Sequence, residues 1–128
     1  MLDRFLDNFY QVISFEKDEE FKETEFKELF ISNAVLMEKD NEIIIQKNLE
    51  QHIDEFRIAI KQYPQLFELG FHERQLGYQH IEEGDTFLVS SRYEKKYCRG
   101  GKEVVEYGVN HMVIIKDNKK LKIASVLW

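Results

Sequence analysis

The sequence predicts an α+β fold in which a strongly curved antiparallel sheet wraps around three helices of the N-terminal half. Helical spacing of apolar residues is confined to the chain before Pro64, and period-two alternation takes over from about Phe67. Turn signals at Gly84-Asp85, Gly100-Gly101 and Asp117-Asn118 divide the remainder into four strands that read as successive hairpins.

Leu2, Phe5, Leu6, Phe9, Val12 and Ile13 recur at helical spacing and predict a helix over about 2–14 with one apolar stripe. After the charged stretch Glu16 to Glu20, the residues Phe21, Phe26, Leu29 and Phe30 predict a second helix, with Asp18 as its cap and Ser32-Asn33 as its break. Ala34 to Glu38 and Glu42 to Gln46 read as two short strands joined across Lys39-Asp40-Asn41, where Asp and Asn tolerate turn geometry.

Asn48 then opens a third helix. Gln51 reaches back as its capping-box partner, Leu49, Ile53, Phe56 and Ile60 form its buried face, and Pro64 ends it. Of the four later strands, Thr86 to Cys98 and Glu103 to Lys116 exceed the usual five or six residues. Gly70, Gly77 and Gly108 fall inside strand patterns, where glycine marks a bulge or bend, and so predict curvature.

The 128 residues are 43% hydrophobic and 13% aromatic, which suits a single domain over 1–128 with a substantial core. A net charge of −6 argues against a nucleic-acid partner, because phosphate-backbone binding needs a basic surface. No stretch reaches the roughly 20 apolar residues that span a bilayer, and Met1-Leu2-Asp3-Arg4 opens without a signal-peptide apolar run, so no membrane contact and a cytoplasmic location are expected. Cys98 stands alone and forms no internal disulfide; it reads as an ordinary reduced thiol.

His52, His72, His80 and His111 show no HxH or HExxH spacing, so no metal is expected. With no glycine-rich phosphate cradle, no cofactor is expected either. G-x-S-x-G is absent, and Ser90-Ser91 lies mid-strand as packing residues rather than nucleophiles. Arg92, Lys95, Lys96, Arg99 and Lys102 form a basic patch around Gly100-Gly101, either a receiver for an anionic group or a solvated hairpin that discourages edge pairing.

The order helix, helix, short hairpin, helix, four-strand meander resembles the nuclear transport factor 2-like superfamily, which includes ketosteroid isomerase, scytalone dehydratase and the SnoaL-like cyclases. The resemblance runs through Phe26-Lys27-Glu28-Leu29-Phe30, Asn33-Ala34-Val35-Leu36-Met37-Glu38, Gly84-Asp85-Thr86 and the strand Leu121 to Trp128. It implies a cone with an internal pocket and a homodimer through the outer sheet face.

In the ketosteroid isomerase branch it further implies a carboxylate base at the end of the first strand, here Glu38. The position of that branch's protonated aspartate falls on Asn110, and its tyrosine on Tyr10. An amide still donates a hydrogen bond, though a weaker one than a neutral acid. Some SnoaL-like dehydratases carry a strand histidine comparable to His72.

Alternation supports part of this. Ala34, Leu36 and Glu38 share one strand face, so an inward Leu36 brings an inward Glu38, whose desolvation suits it to act as a base. The other reading leaves Glu38 solvated beside Lys39. Asn110 and His111 point to opposite faces and cannot both line one pocket without a bulge. The resemblance implies Asn110 for the pocket, which leaves His111 on the outer face or at a dimer contact. His72 belongs either to an aromatic pocket, where an imidazole moves protons near neutral pH, or to a polar face with Arg74 and Tyr78 opposite Phe67, Leu69 and Phe71.

The expected function is therefore binding of a small, largely apolar molecule within walls that include Phe9, Phe30, Phe56 and Tyr93. Isomerase, dehydratase or cyclase chemistry by acid–base catalysis would use Glu38, Tyr10, Asn110 or His72. The competing expectation is a noncatalytic dimeric module that binds a protein partner, with a filled cone and exposed Val126 and Trp128.

Overall fold

A computed structural model describes residues Met1–Trp128. Helix α1 (Leu2–Ile13) buries Leu2, Leu6, Phe9, Tyr10, Val12 and Ile13, the stripe that its periodicity predicts with Tyr10 added. Helix α2 (Glu23–Glu28) leads into strand β1 (Phe30–Asp40), which turns at Asn41 into β2 (Ile43–Lys47). Helix α3 (Leu49–Gln62) starts at a complete capping box: Asn48 Oδ1 accepts from the Gln51 N–H at 2.8 Å, and Gln51 Oε1 accepts from the Asn48 N–H at 2.8 Å. Pro64 ends it in a 3-10 turn, Pro64–Phe67, followed by β3 (His72–Glu83), β4 (Thr86–Arg99), β5 (Lys102–Asp117) and β6 (Lys120–Leu127).

The strands form one six-stranded sheet in the order β2-β1-β6-β5-β4-β3. All neighbours run antiparallel except β1 and β6, which pair in parallel and bring the chain's last strand into the middle of the sheet. The helices cover one face. Their apolar stripes meet the inward residues Ala34, Leu36, Phe87, Val89, Met112, Ile114, Ile123 and Val126 in a single core. Leu6 and Ile53 are both fully buried there, each worth roughly 2 kcal/mol by removal from water. No helix is long and apolar enough to cross a membrane.

Several expectations shift by a few residues, each for a local reason. Phe30 does not end the second helix but opens β1, since an aromatic residue satisfies either pattern. Ser32-Asn33 lies inside that strand, where the register against β6 slips between Phe30 and Val35. Asp18 sits in a turn at φ +65°, and the residue that caps α2 is Lys22, which makes no side-chain cap hydrogen bond.

The glycines divide likewise. Gly77 marks a register shift in β3. Gly70 precedes that strand in a turn at φ +80°, where an added Cβ would lie 2.7 Å from the Phe15 carbonyl oxygen. Gly108 keeps regular register opposite Tyr93, so its role is close approach rather than a bend.

Candidate functional site

Between the helices and the sheet lies a cavity of about 300 Å³, a size that suits a small molecule. Phe9 and Ile13 reach it from α1, Phe26 from α2, Phe30, Leu36 and Glu38 from β1, and His52, Glu55, Phe56 and Ala59 from α3. From the sheet come Phe71 and Glu73 at the start of β3, Tyr93 and Lys95 on β4, Asn110 on β5, and Val126 with Trp128 at the chain end. All four wall residues expected from the sequence, Phe9, Phe30, Phe56 and Tyr93, line this space. Val126 is buried and Trp128 packs against the core, so the exposed apolar pair that a filled cone would present is absent.

Aromatic rings pack against one another along the wall. Phe56 meets Phe21 at 5.0 Å and Phe71 at 5.6 Å between centroids, and Phe15 stacks on Phe71 at 5.8 Å. Backbone hydrogen bonds in both directions between Phe15 and Phe71, 2.8 Å each, tie the segment after α1 to the start of β3. His52 joins this wall, stacked on Phe26 and edge-on to Trp128 at 5.4 Å. Burial, with the Lys47 ammonium nearby, lowers its pKa to about 4, so the imidazole is neutral at pH 7. Its Nδ1 is buried without a hydrogen-bond partner.

The polar groups fall into three sets. At one end, Lys47 Nζ donates to Glu38 at 3.2 Å and Glu55 at 2.7 Å and lies 5.3 Å from the centre of the Trp128 ring. Only 6% of the Lys47 side chain is exposed, against 42% for Glu38, so the ammonium is the buried member. Glu38 does face the cavity, but a cation occupies it.

Deeper in the core, Asn110 Nδ2 donates to the Tyr10 hydroxyl at 3.1 Å. Ser91 donates to Gln75 Oε1 at 2.8 Å, which leaves Tyr10 to donate to Ser91 at 2.6 Å. Burial raises the Tyr10 pKa further above its ordinary value. The structure joins Tyr10 to Asn110, but only Asn110 faces the cavity, with Tyr10 behind it.

The third set pairs Glu73, absent from the residues expected in the site, with Lys95 of the basic patch. They face each other across the β3–β4 register, on the inward side. Burial pushes the Glu73 carboxyl up to about 7, with Lys95 opposing. The signal was available, because Glu73 shares the strand face of Phe71 and opposes that of His72 and Arg74. His52 was legible in the same way, three residues after Leu49 and four before Phe56 on the apolar stripe of α3.

His72 lies outside the cavity wall, partly exposed, with Nε2 3.7 Å from the Glu16 carboxylate. His111 is exposed on the outer face, 3.2 Å from Ser90 Oγ. The basic patch is split: Lys95 points inward to the cavity, while Arg92, Arg99 and Lys102 are exposed. No group of three or more His, Cys, Asp or Glu side chains is arranged to hold a metal ion.

No protein-family model and no curated protein matches the sequence. Solved structures do match. The beta subunit of the benzoate 1,2-dioxygenase from Burkholderia mallei superposes with a TM-score of 0.75 at 16% identity, over 98% of this chain and 85% of that one. An NTF2-like protein of unknown function from Pseudomonas putida gives 0.69 at 7% identity, over 99% and 82%. A ketosteroid isomerase-like protein from Shewanella frigidimarina gives 0.60 at 17% identity, over 82% and 79%. The chain therefore has the fold of the nuclear transport factor 2-like superfamily. At these identities the likeness concerns the fold, and chemistry has to be argued from the site.

Proposed function

We propose that the protein binds a small, largely apolar ring compound in its cavity and acts on it by acid–base chemistry of the isomerase, dehydratase or cyclase kind. The observation that carries this reading is an aromatic-walled space of about 300 Å³ with a few converging polar groups, the usual make-up of a small-molecule site. Glu38, Glu73 and Asn110 face that space from three strands. The carboxyl raised to about 7 supports the chemistry, because a group titrating near the working pH can both take and return a proton. Within this reading Asn110 faces a developing oxygen charge, Tyr10 behind it holds the Asn110 amide in place, and Glu38 is a base only when Lys47 releases it. His72, turned toward Glu16, has no part in it.

The outer sheet face supports a homodimer. Ile81 is 60% and Leu88 is 51% exposed there, beside Met37, Val113, Leu127 and His111 in one shallow apolar depression. One neighbour in fold is by name a subunit of a larger enzyme, which suits a surface built for association.

The test uses the only tryptophan, Trp128, whose indole lines the cavity. Titration with toluene and cyclohexanone should shift its single indole N–H resonance saturably. A resonance that stays fixed while both compounds are in excess would sink the reading.

A further inference from the structure

Three carboxyl groups line the cavity, and only one of them is without a protein partner. Glu38 and Glu55 share the Lys47 ammonium. Glu73 accepts no hydrogen bond at its side chain, although its backbone is held: its N–H donates to Ser14 Oγ at 2.9 Å, and its carbonyl lies 3.1 Å from the same hydroxyl. The strand is thereby pinned to the end of α1, so the carboxyl keeps its inward direction. Lys95, directly across the ladder, supplies a compensating charge without an ion pair.

Glu73 is half-buried, so its open acceptor positions are filled by water or by an occupant of the cavity, and an occupant with an O–H there takes the place of water. The surrounding wall is made of rings: Phe9, Phe56, Phe71, Tyr93 and Trp128. We propose that Glu73 is the anchoring acceptor of the cavity, and that its ligands are hydroxy-substituted ring compounds whose O–H points at this carboxylate while the ring packs against the aromatic wall. The proposal rests on the small-molecule reading above and names the ligand class.

A pH signature follows. Burial holds Glu73 at about 7, so it is mostly ionised at about pH 8 and mostly protonated at about pH 6. The groups nearest to it are Lys95 and Tyr93 on β4 and Tyr10 on α1. Farther along the wall stand Glu38 on β1, Lys47 on β2, and His52 and Glu55 on α3. Burial sends His52 to about 4 and Tyr93 to about 12, outside that window.

Phenol and toluene, nearly equal in size, separate the hydrogen bond from the packing. At about pH 8 the protein should bind phenol about tenfold more tightly than toluene, the effect of one hydrogen bond to a charged group. The preference should shrink severalfold at about pH 6, where a neutral acid makes the weaker bond. In Glu73→Gln, which keeps the shape without the charge, phenol should lose most of its advantage and its pH dependence, while toluene binds as before. Glu73→Leu provides a second check, with the two compounds bound alike.

Equal binding of phenol and toluene by the unaltered protein would overturn the anchoring role and leave the cavity reading standing. A phenol preference unchanged in Glu73→Gln would do the same. If neither compound binds, both the anchor and the small-molecule reading fall.

Discussion

Tyr93 lies across β5 at Gly108: a Cβ built at position 108 would meet the phenol oxygen at 2.4 Å and the adjoining ring carbon at 2.5 Å. The missing side chain is what lets this ring lie flat beside the cavity, 6.4 Å from Tyr10 between centroids. Gly108→Ala must therefore displace Tyr93 and should cost about 1–3 kcal/mol, as overpacking does. Chemical denaturation would measure it. The double variant with Tyr93→Ala should be less destabilised than the sum of the two single changes, since the clash is then gone.

Tyr10 joins Asn110 and Ser91 in one buried chain. Tyr10→Phe leaves the Asn110 amide without its acceptor, while Ser91 still donates to Gln75. The expected loss is about 1–3 kcal/mol in unfolding free energy, the cost of an unsatisfied buried polar group. A change below about 0.5 kcal/mol would mean that water replaces the hydroxyl there.

Lys47 is a buried ammonium held by two exposed carboxylates. Glu38→Gln or Glu55→Gln alone should cost at most about 1 kcal/mol, because the other carboxylate remains. Both together strand the charge and should cost about 2 kcal/mol or more, whereas Lys47→Met should be nearly neutral. Thermal unfolding of the four variants would check the pattern, and a Lys47→Met change worse than the double variant would contradict it.

His52 and Glu73 give stability opposite pH dependences. Between about 4 and 6.5 the unfolded chain binds a proton on His52 that the folded chain does not, so its contribution to stability grows as pH rises. Between 4.5 and about 7 the folded chain keeps a proton on Glu73 that the unfolded chain releases, so its contribution shrinks as pH rises. Each is on the order of 1–3 kcal/mol, and in the unaltered protein they largely offset each other. Relative to it, His52→Phe should lose stability with rising pH across about 4.5 to 6.5, and Glu73→Gln should gain it. Denaturation curves at several pH values would show either the two opposite slopes or their absence.

Much of the fold was legible because local patterns and tertiary packing agree here. The Asn48–Gln51 capping box, the stripe of α1 and the Gly77 irregularity all follow from short-range rules. The parallel pairing of β1 with β6 does not, since no local pattern says that the last strand enters between β1 and β5.

The candidate site was half legible. Alternation tied Glu38 to the face of Leu36 and the resemblance pointed Asn110 inward, but nothing in the sequence pairs Glu38 with Lys47, which depends on the hairpin register Glu38↔Ile45 and on Glu55 one helix away. Glu73 was hidden by its neighbours: a Glu between His72 and Arg74 reads as surface until its parity with Phe71 is followed.

The most direct measurement is a crystal structure grown with 4-bromophenol, in which anomalous scattering locates the bromine independently of the surrounding density. The predicted result is bromine inside the cavity, against Phe56, Phe71 or Trp128, with the hydroxyl within hydrogen-bond distance of the Glu73 carboxylate. A cavity without bromine, with bromine only on the outer sheet face, would contradict the account.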